Sequence, residues 1–250
     1  MSLIEARDIC FENYYDELSL KNVSFEISEK GVYGFLGKSK SGKTALSTLL
    51  AGVEKYDSGS LLYKDTEMYS SKKSELQIKK KIGYVSETCS FDEDMTVFEI
   101  LDFTGKAKGI SPDKVYRQIK EAMELMGLSE ISDMTVETLG SSEKKRLAIA
   151  NALLGNPDVI IFDEPMKNLE TRWKEELKGL ISMLSAKKII LVFSSSAAVI
   201  EELCGFVFVV SHGQIPLSDS IENIKAKLEA NGMSGLSLVL EAFDEIEEEE

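Results

Sequence analysis

The sequence predicts an α/β fold, with a mostly parallel sheet flanked by helices, an N-terminal antiparallel β-subdomain and a helical subdomain inserted midway. Three observations carry that expectation. Short β-type runs recur at Val32 to Leu36, Lys81 to Val85, Val159 to Phe162, Lys188 to Phe193 and Phe206 to Val210, with helical patterns between most of them. Leu3 to Cys10 and Leu20 to Ile27 instead alternate apolar and polar side chains, as strands with one solvated face do. Between about Thr96 and Ala152 the apolar residues recur at helical spacing.

In chain order, the two alternating segments form the antiparallel layer, joined by Ser60 to Tyr63. In the helical block, Val97, Ile100 and Leu101 share one face, and Val115, Ile119, Ala122 and Met126 share another. Ser111-Pro112-Asp113 starts a helix: proline lacks an N–H that the first turn leaves unused, and the acid favours the positive helix end. After Pro216 a helix covers about Ile221 to Ala230, and Glu247 to Glu250 reads as a solvated, frayed tail. One domain of 250 residues results. Its β-layer and loop core spans about 1–86, the helical subdomain 87–155, the second half of the core 156–215, and a C-terminal helical extension with the acidic tail 216–250.

Charge and composition narrow the function. With 43 acidic against 29 basic residues, the net charge of −14 repels a polyphosphate backbone, so nucleic acid is not an expected partner. Cys10, Cys89 and Cys204 lie singly, which suggests neither disulfides nor a zinc site and fits a reducing, cytoplasmic setting. The single histidine, His212, excludes a multi-histidine metal site and reads as a turn residue between strands. Acids at Glu5, Asp8, Glu12, Asp16 and Glu17 speak against a basic, then apolar, leader. Apolar runs such as Ile189 to Phe193 fall far short of the ~20 residues that cross a bilayer.

The strongest motif is Gly37-Lys38-Ser39-Lys40-Ser41-Gly42-Lys43-Thr44, which fits G-x-x-x-x-G-K-[ST] between an apolar strand and an apolar helix, Ala45 to Leu50. A loop wrapped round a phosphate offers successive backbone N–H donors, and the helix beginning there adds its positive end. Gly42 keeps side-chain bulk away from the phosphates, Lys43 reaches the β- and γ-phosphates as a point charge, and the Thr44 hydroxyl ligates Mg²⁺. Downstream, Val159 to Phe162 is a buried-strand run delivering Asp163, Glu164 and Pro165. Read alone, Asp-Glu-Pro is also compatible with a helix cap. Paired with the phosphate loop, Asp163 becomes a partner of Mg²⁺ and Glu164 the group that polarises the attacking water. The fold expectation thereby sharpens to a P-loop NTPase binding ATP and Mg²⁺.

This order of antiparallel start, phosphate loop, helical insertion and Asp-Glu-Pro strand resembles the nucleotide-binding domain of ABC transporters over nearly the whole chain. The resemblance implies that Tyr14, with Tyr15 as neighbouring candidate, stacks on adenine; simple packing in the β-layer is the alternative for either tyrosine. It implies a head-to-tail dimer with a second ATP-binding subunit, identical or not, sandwiching two ATP molecules. The apolar close, Ser237 to Ile246, looks like that of ATPase subunits from exporters whose permease is a separate chain. The implied partner is then an integral membrane permease engaged near Glu87 to Met95, with this chain peripheral on the inner membrane face.

Departures from the family pattern are informative. The signature Leu-Ser-Gly-Gly-Gln aligns with Leu139-Gly140-Ser141-Ser142-Glu143, so the hydroxyls, here on Ser141 and Ser142, are displaced by one and two positions from the family serine that reaches across the dimer to the γ-phosphate. Glu143 adds a negative charge there, unless it caps its own helix. Glu87 stands for the glutamine that touches Mg²⁺ and water, keeping an oxygen ligand but losing the amide donor. Ser195 stands for the switch histidine, Lys40 for a usual glycine, and Glu170 for a usual aspartate. With Lys43, Thr44 and Asp163 retained and the groups that sense the γ-phosphate altered, the sequence predicts tight ATP binding with slow hydrolysis. Two readings stay open: a slow ATPase subunit driving a permease, and an ATP-dependent clamp or regulatory subunit with little hydrolysis. A soluble relative acting on ribosomes or DNA is a distant third.

Overall fold

The computed structural model describes residues 3–12, 19–230 and 235–245. Its first strands, β1 (Ile4–Glu12) and β2 (Ser19–Ile27), pair antiparallel, with Ile4 opposite Ile27 and Phe11 opposite Leu20. Ala6 and Ile9 are both buried although three residues apart, which strict alternation forbids. A register shift between them resolves the conflict: Asp8 turns to a positive φ of 47°, and its backbone N–H and carboxylate close on the Ser24 hydroxyl. There follow β3 (Gly31–Leu36), α1 (Lys43–Ala51), β4 (Ser58–Tyr63) and the short β5 (Thr66–Glu67). The antiparallel layer has the order β2-β1-β4-β5, and its first three strands are the segments that the sequence pattern assigns to it.

The chain continues through α2 (Lys72–Lys79), β6 (Ile82–Val85), α3 (Val97–Ala107), α4 (Pro112–Leu125) and α5 (Ser141–Leu153). Next come β7 (Val159–Asp163), α6 (Thr171–Ser185), β8 (Ile189–Ser194), α7 (Ala197–Leu203), β9 (Phe206–Ser211), β10 (Gln214–Ser220), α8 (Ile221–Ala230) and α9 (Ser237–Glu245). The second sheet runs β10-β9-β3-β8-β7-β6, parallel except for β10. Every residue of β7 and β8 is buried, because the sheet is covered on both faces and needs no polar alternation. One face packs on α1 and the antiparallel layer, where Phe35 stacks between Phe193 and Phe208 at ring separations of 4.4 and 4.9 Å. The other face carries α3 to α7.

The helical faces are buried as read, from Val97, Ile100 and Leu101 to Val115, Ile119, Ala122 and Met126, although two 3₁₀ turns interrupt the block. Thr96 fixes the start of α3 in a reciprocal box with Glu99. The expected boundary at residue 216 is corrected, because β10 runs on to Ser220. Pro216 is tolerated there since β10 is an edge strand with one unpaired side. His212 sits in the β9–β10 turn, as expected. The tail Glu247 to Glu250 lies outside the described residues.

Candidate functional site

The site assembles at the carboxyl ends of the parallel strands. β3 ends at Leu36, and the chain turns through residues 37–42 before α1 begins at Lys43. Glycine is required at both ends of this loop. A Cβ on Gly37 would lie 2.3 Å from the Val210 carbonyl oxygen, and Gly42 adopts φ 101° hard against Leu20 and Gly213. The Ser41 carbonyl accepts the Gly213 N–H at 2.9 Å, tying the loop to the β9–β10 turn. Lys40 also holds a positive φ of 65°, the conformation for which glycine is usual at this position. The Lys43 ammonium curls back and donates to the carbonyls of Gly37 and Lys38 at 2.7 Å each. Burial pulls it below the usual lysine range, opposed by Glu164, Asp163 and Glu87.

Across β8, the end of β7 delivers the acidic pair. Asp163 is 1% exposed; its Oδ2 accepts from the Ser47 hydroxyl at 3.0 Å, while Oδ1 is buried without a protein partner. Burial holds the Asp163 carboxyl above its ordinary range, against the lowering effect of hydrogen bonds from Ser47 and Thr44. Tyr84 approaches the Ser47 hydroxyl at 3.3 Å and is itself pushed up to about 12, chiefly by burial. Glu164 takes φ 47° and donates its N–H to the Phe193 carbonyl at 2.9 Å. Its carboxylate accepts from the Ser194 hydroxyl at 3.1 Å and from the Ser195 N–H at 2.7 Å. Glu87 forms an ion pair with Lys167. Lys145, 1% exposed, reaches from α5 to the carbonyls of Ser86, Glu87 and Glu164 at 3.2, 3.3 and 3.4 Å. A buried ammonium needs such acceptors, and here they lock the turns of Glu87 and Glu164 together.

A cavity of about 480 Å³ opens between these pieces, lined by Ser39, Lys40, Gly42, Lys43, Thr44, Glu87, Asp163, Glu164 and Ser195 among others. The structure thus brings together most of the predicted residues. Lys38 contributes a carbonyl to Lys43 and Ser41 supports the loop from beneath, its hydroxyl buried. Ser141 and Ser142 do not line the cavity: they open α5, Ser141 exposed and Ser142 buried. Glu143 does cap its own helix, its carboxylate accepting the Gly140 N–H at 2.8 Å. Ser195 serves through its backbone, as the hydrogen bond to Glu164 shows. Tyr14 and Tyr15 lie outside the described residues. Sequence reading missed Ser47, Ser194, Lys145 and Lys167. Of these only Ser47 carries a local signal, sitting three residues after Thr44 on the same helical face. Another cavity, about 290 Å³, lies at the opposite strand ends against Tyr63, Ile78 and Ile82, remote from this chemistry.

A phosphate loop facing a strand-end acid pair on a parallel sheet defines a P-loop nucleotide-binding domain. Comparison with known proteins makes the assignment specific. The family model for the ABC transporter matches residues 20–167, more than half of the chain, and the chain belongs to that family. A methionine import ATP-binding protein of Clostridioides difficile is 30% identical over 206 residues, covering 81% of this chain and 64% of that protein. An energy-coupling factor transporter ATP-binding protein of Caldanaerobacter subterraneus is 29% identical over 230 residues, covering 90% of this chain and 80% of that one. Among solved structures, an ATP-binding subunit of an ABC transporter superposes with a TM-score of 0.82 at 19% identity, covering 93% of this chain and 96% of that one. An ATP-binding cassette solved as a dimer with ADP and Pi gives 0.78 at 20% identity, covering 87% and 98%. Among the described residues no helix is long and apolar enough to cross a membrane.

Proposed function

We propose that this chain is the ATP-binding subunit of an ABC transporter, one that binds MgATP tightly, hydrolyses it slowly and works as a dimer beside a separate membrane permease. The observation that carries this reading is the convergence of Lys43, Thr44, Asp163 and Glu164 on one cavity, held by Ser47 and Ser194. The residues suit Mg²⁺: the buried Oδ1 of Asp163 is a carboxylate oxygen with no hydrogen-bond partner, and Thr44 and Glu87 add oxygens. Bound there, the cation supplies charge neutralisation to the β- and γ-phosphates. Lys43 leaves two carbonyls for phosphate oxygens, and the loop amides hold the triphosphate. Glu164 orients the attacking water with a carboxylate already fixed at both oxygens. The site lacks an imidazole where Ser195 stands, and losing one positioned donor commonly slows a charge-developing step ~10²–10³-fold.

In the dimer, Ser141, exposed at the start of α5, faces the partner's nucleotide. The permease docks near Glu87 to Met95, placing the chain on the cytoplasmic face of the membrane. Outward transport is supported by the likeness of Ser237 to Ile246 to exporter subunits. The methionine relative is named for import and supports the opposite direction. Flux into vesicles reconstituted with the permease reads the direction.

The test compares ATP affinity with turnover for the wild type, Lys43→Ala and Glu164→Gln. Lys43→Ala abolishes ATP binding; surviving affinity would refute the loop assignment. Turnover on the order of 1 s⁻¹ or slower, lost in Glu164→Gln, supports the ATPase. Binding with turnover at the buffer level in both proteins supports the second reading, a clamp without hydrolysis, which the replacements at Glu87 and Ser195 favour.

A further inference from the structure

Resting on that reading of the site, we infer that Lys167 is the residue that distinguishes ATP from ADP, and that its ion pair with Glu87 holds it in reserve until nucleotide enters. The cavity has two walls. On the loop wall, Lys43 is buried and already engaged with two carbonyls, and Lys40 extends from the loop itself. The facing wall presents Glu87, Asp163 and Glu164, and Lys167 is the one cation among its lining residues. An incoming triphosphate held by the loop points its terminal phosphate at this acidic wall, where Lys145 is buried on the carbonyls of Glu87 and Glu164 and Lys167 is the cation within reach of the phosphate.

The placement of Lys167 is local and firm. Its backbone N–H donates to the Glu164 carbonyl at 3.2 Å, closing a tight turn directly behind the strand-end acids. The side chain is 56% exposed and that of Glu87 33% exposed, so their pairing is a weak, solvent-screened one. Exposed pairs of this kind shift an equilibrium by about fivefold or less. A phosphate oxygen can therefore take the ammonium from Glu87 at little cost. The neighbouring donors are already used: the Ser195 N–H and Ser194 hydroxyl are both committed to Glu164, and the buried Lys145 ammonium to backbone carbonyls. The lysine thus compensates on the same wall for the positive group missing at Ser195, and its Glu87 partner keeps the empty cavity from presenting a bare charge.

Calorimetric titration of the full chain with MgATP and MgADP tests this, together with metal-free titrations of both nucleotides. Lys167→Met is expected to weaken MgATP about tenfold, the scale of one charge-assisted hydrogen bond at a half-exposed site, and to leave MgADP within about twofold. Glu87→Gln, which frees the ammonium, is expected to raise the preference for ATP over ADP without metal, and Glu87→Gln with Lys167→Met to abolish that rise. An ATP-to-ADP preference unchanged in Lys167→Met, or a rise that persists in the double variant, overturns the inference. Lys43→Ala separates the two claims: if it leaves wild-type affinity intact, the nucleotide-site reading itself fails. If it abolishes binding while Lys167→Met leaves the preference unchanged, only the role of Lys167 fails.

Discussion

Replacing Asp163 with asparagine is expected to stabilise the nucleotide-free chain while removing its response to MgATP. Asp163 is 1% exposed, its Oδ1 has no partner, and Glu87 and Glu164 crowd it with like charge. A buried polar atom left unsatisfied costs about 1–3 kcal/mol. Asparagine keeps an acceptor for the Ser47 hydroxyl and removes the charge, so a gain of about 1–2 kcal/mol follows, at about 2–4 °C in Tm per kcal/mol for a chain of this size. The pH dependence fixes the cause. The folded Asp163 carboxyl titrates above its unfolded value, so between the two the folded state holds more protons and wild-type stability falls as pH rises. The advantage of the variant is therefore absent in acid, below the ordinary carboxylate range, and complete once pH exceeds the folded value. With MgATP the order reverses: ligand at a hundred times its Kd stabilises the wild type by about 2.7 kcal/mol, and the variant gains little. Thermal denaturation against pH, with and without MgATP, measures both effects. A variant less stable than wild type at neutral pH, or a gain that persists unchanged in acid, would refute the reasoning.

Two further outcomes follow from the packing around the site. Gly127 adopts φ +60°, and a Cβ there would meet Trp173 at 2.5 Å, so Gly127→Ala should destabilise by about 2–4 kcal/mol from backbone strain and displacement of the ring. The guanidinium of Arg146, 4.5 Å from that ring, and its bonds to the Met126 and Gly127 carbonyls shift with it; Trp173, the only tryptophan, reports this as changed fluorescence. Lys108 donates to the Leu154 carbonyl at 2.8 Å, and burial lowers it to about 8. Above that value the folded state has lost a proton the unfolded chain keeps, so stability rises with pH from about 8 toward the ordinary lysine value, and Lys108→Met flattens that rise.

The phosphate loop and the acidic pair were legible because their geometry is local. Strand, glycine-bounded turn and helix are consecutive in residues 31–51, and apolar β-branched residues deliver Asp163 wherever β7 lies. The antiparallel layer was legible from alternation, except for the bulge at Asp8, which depends on a hydroxyl from the neighbouring strand. Glu87 and Ser195 could be named as departures, but their consequences could not, since these depend on what stands opposite.

By itself, then, the sequence determined which backbone cradles a phosphate and which carboxylates terminate a buried strand, since both follow from neighbouring residues and their dihedral preferences. Only the tertiary structure decided that β8 separates β3 from β7, and with it that Ser194 and the Ser195 amide clasp Glu164, that Ser47 holds Asp163, and that Lys167 meets Glu87. The runs forming β7, β8 and β9 are almost interchangeable as apolar strands, so their order is set by how the whole sheet buries its two faces. Every contact across those strand ends inherits that choice.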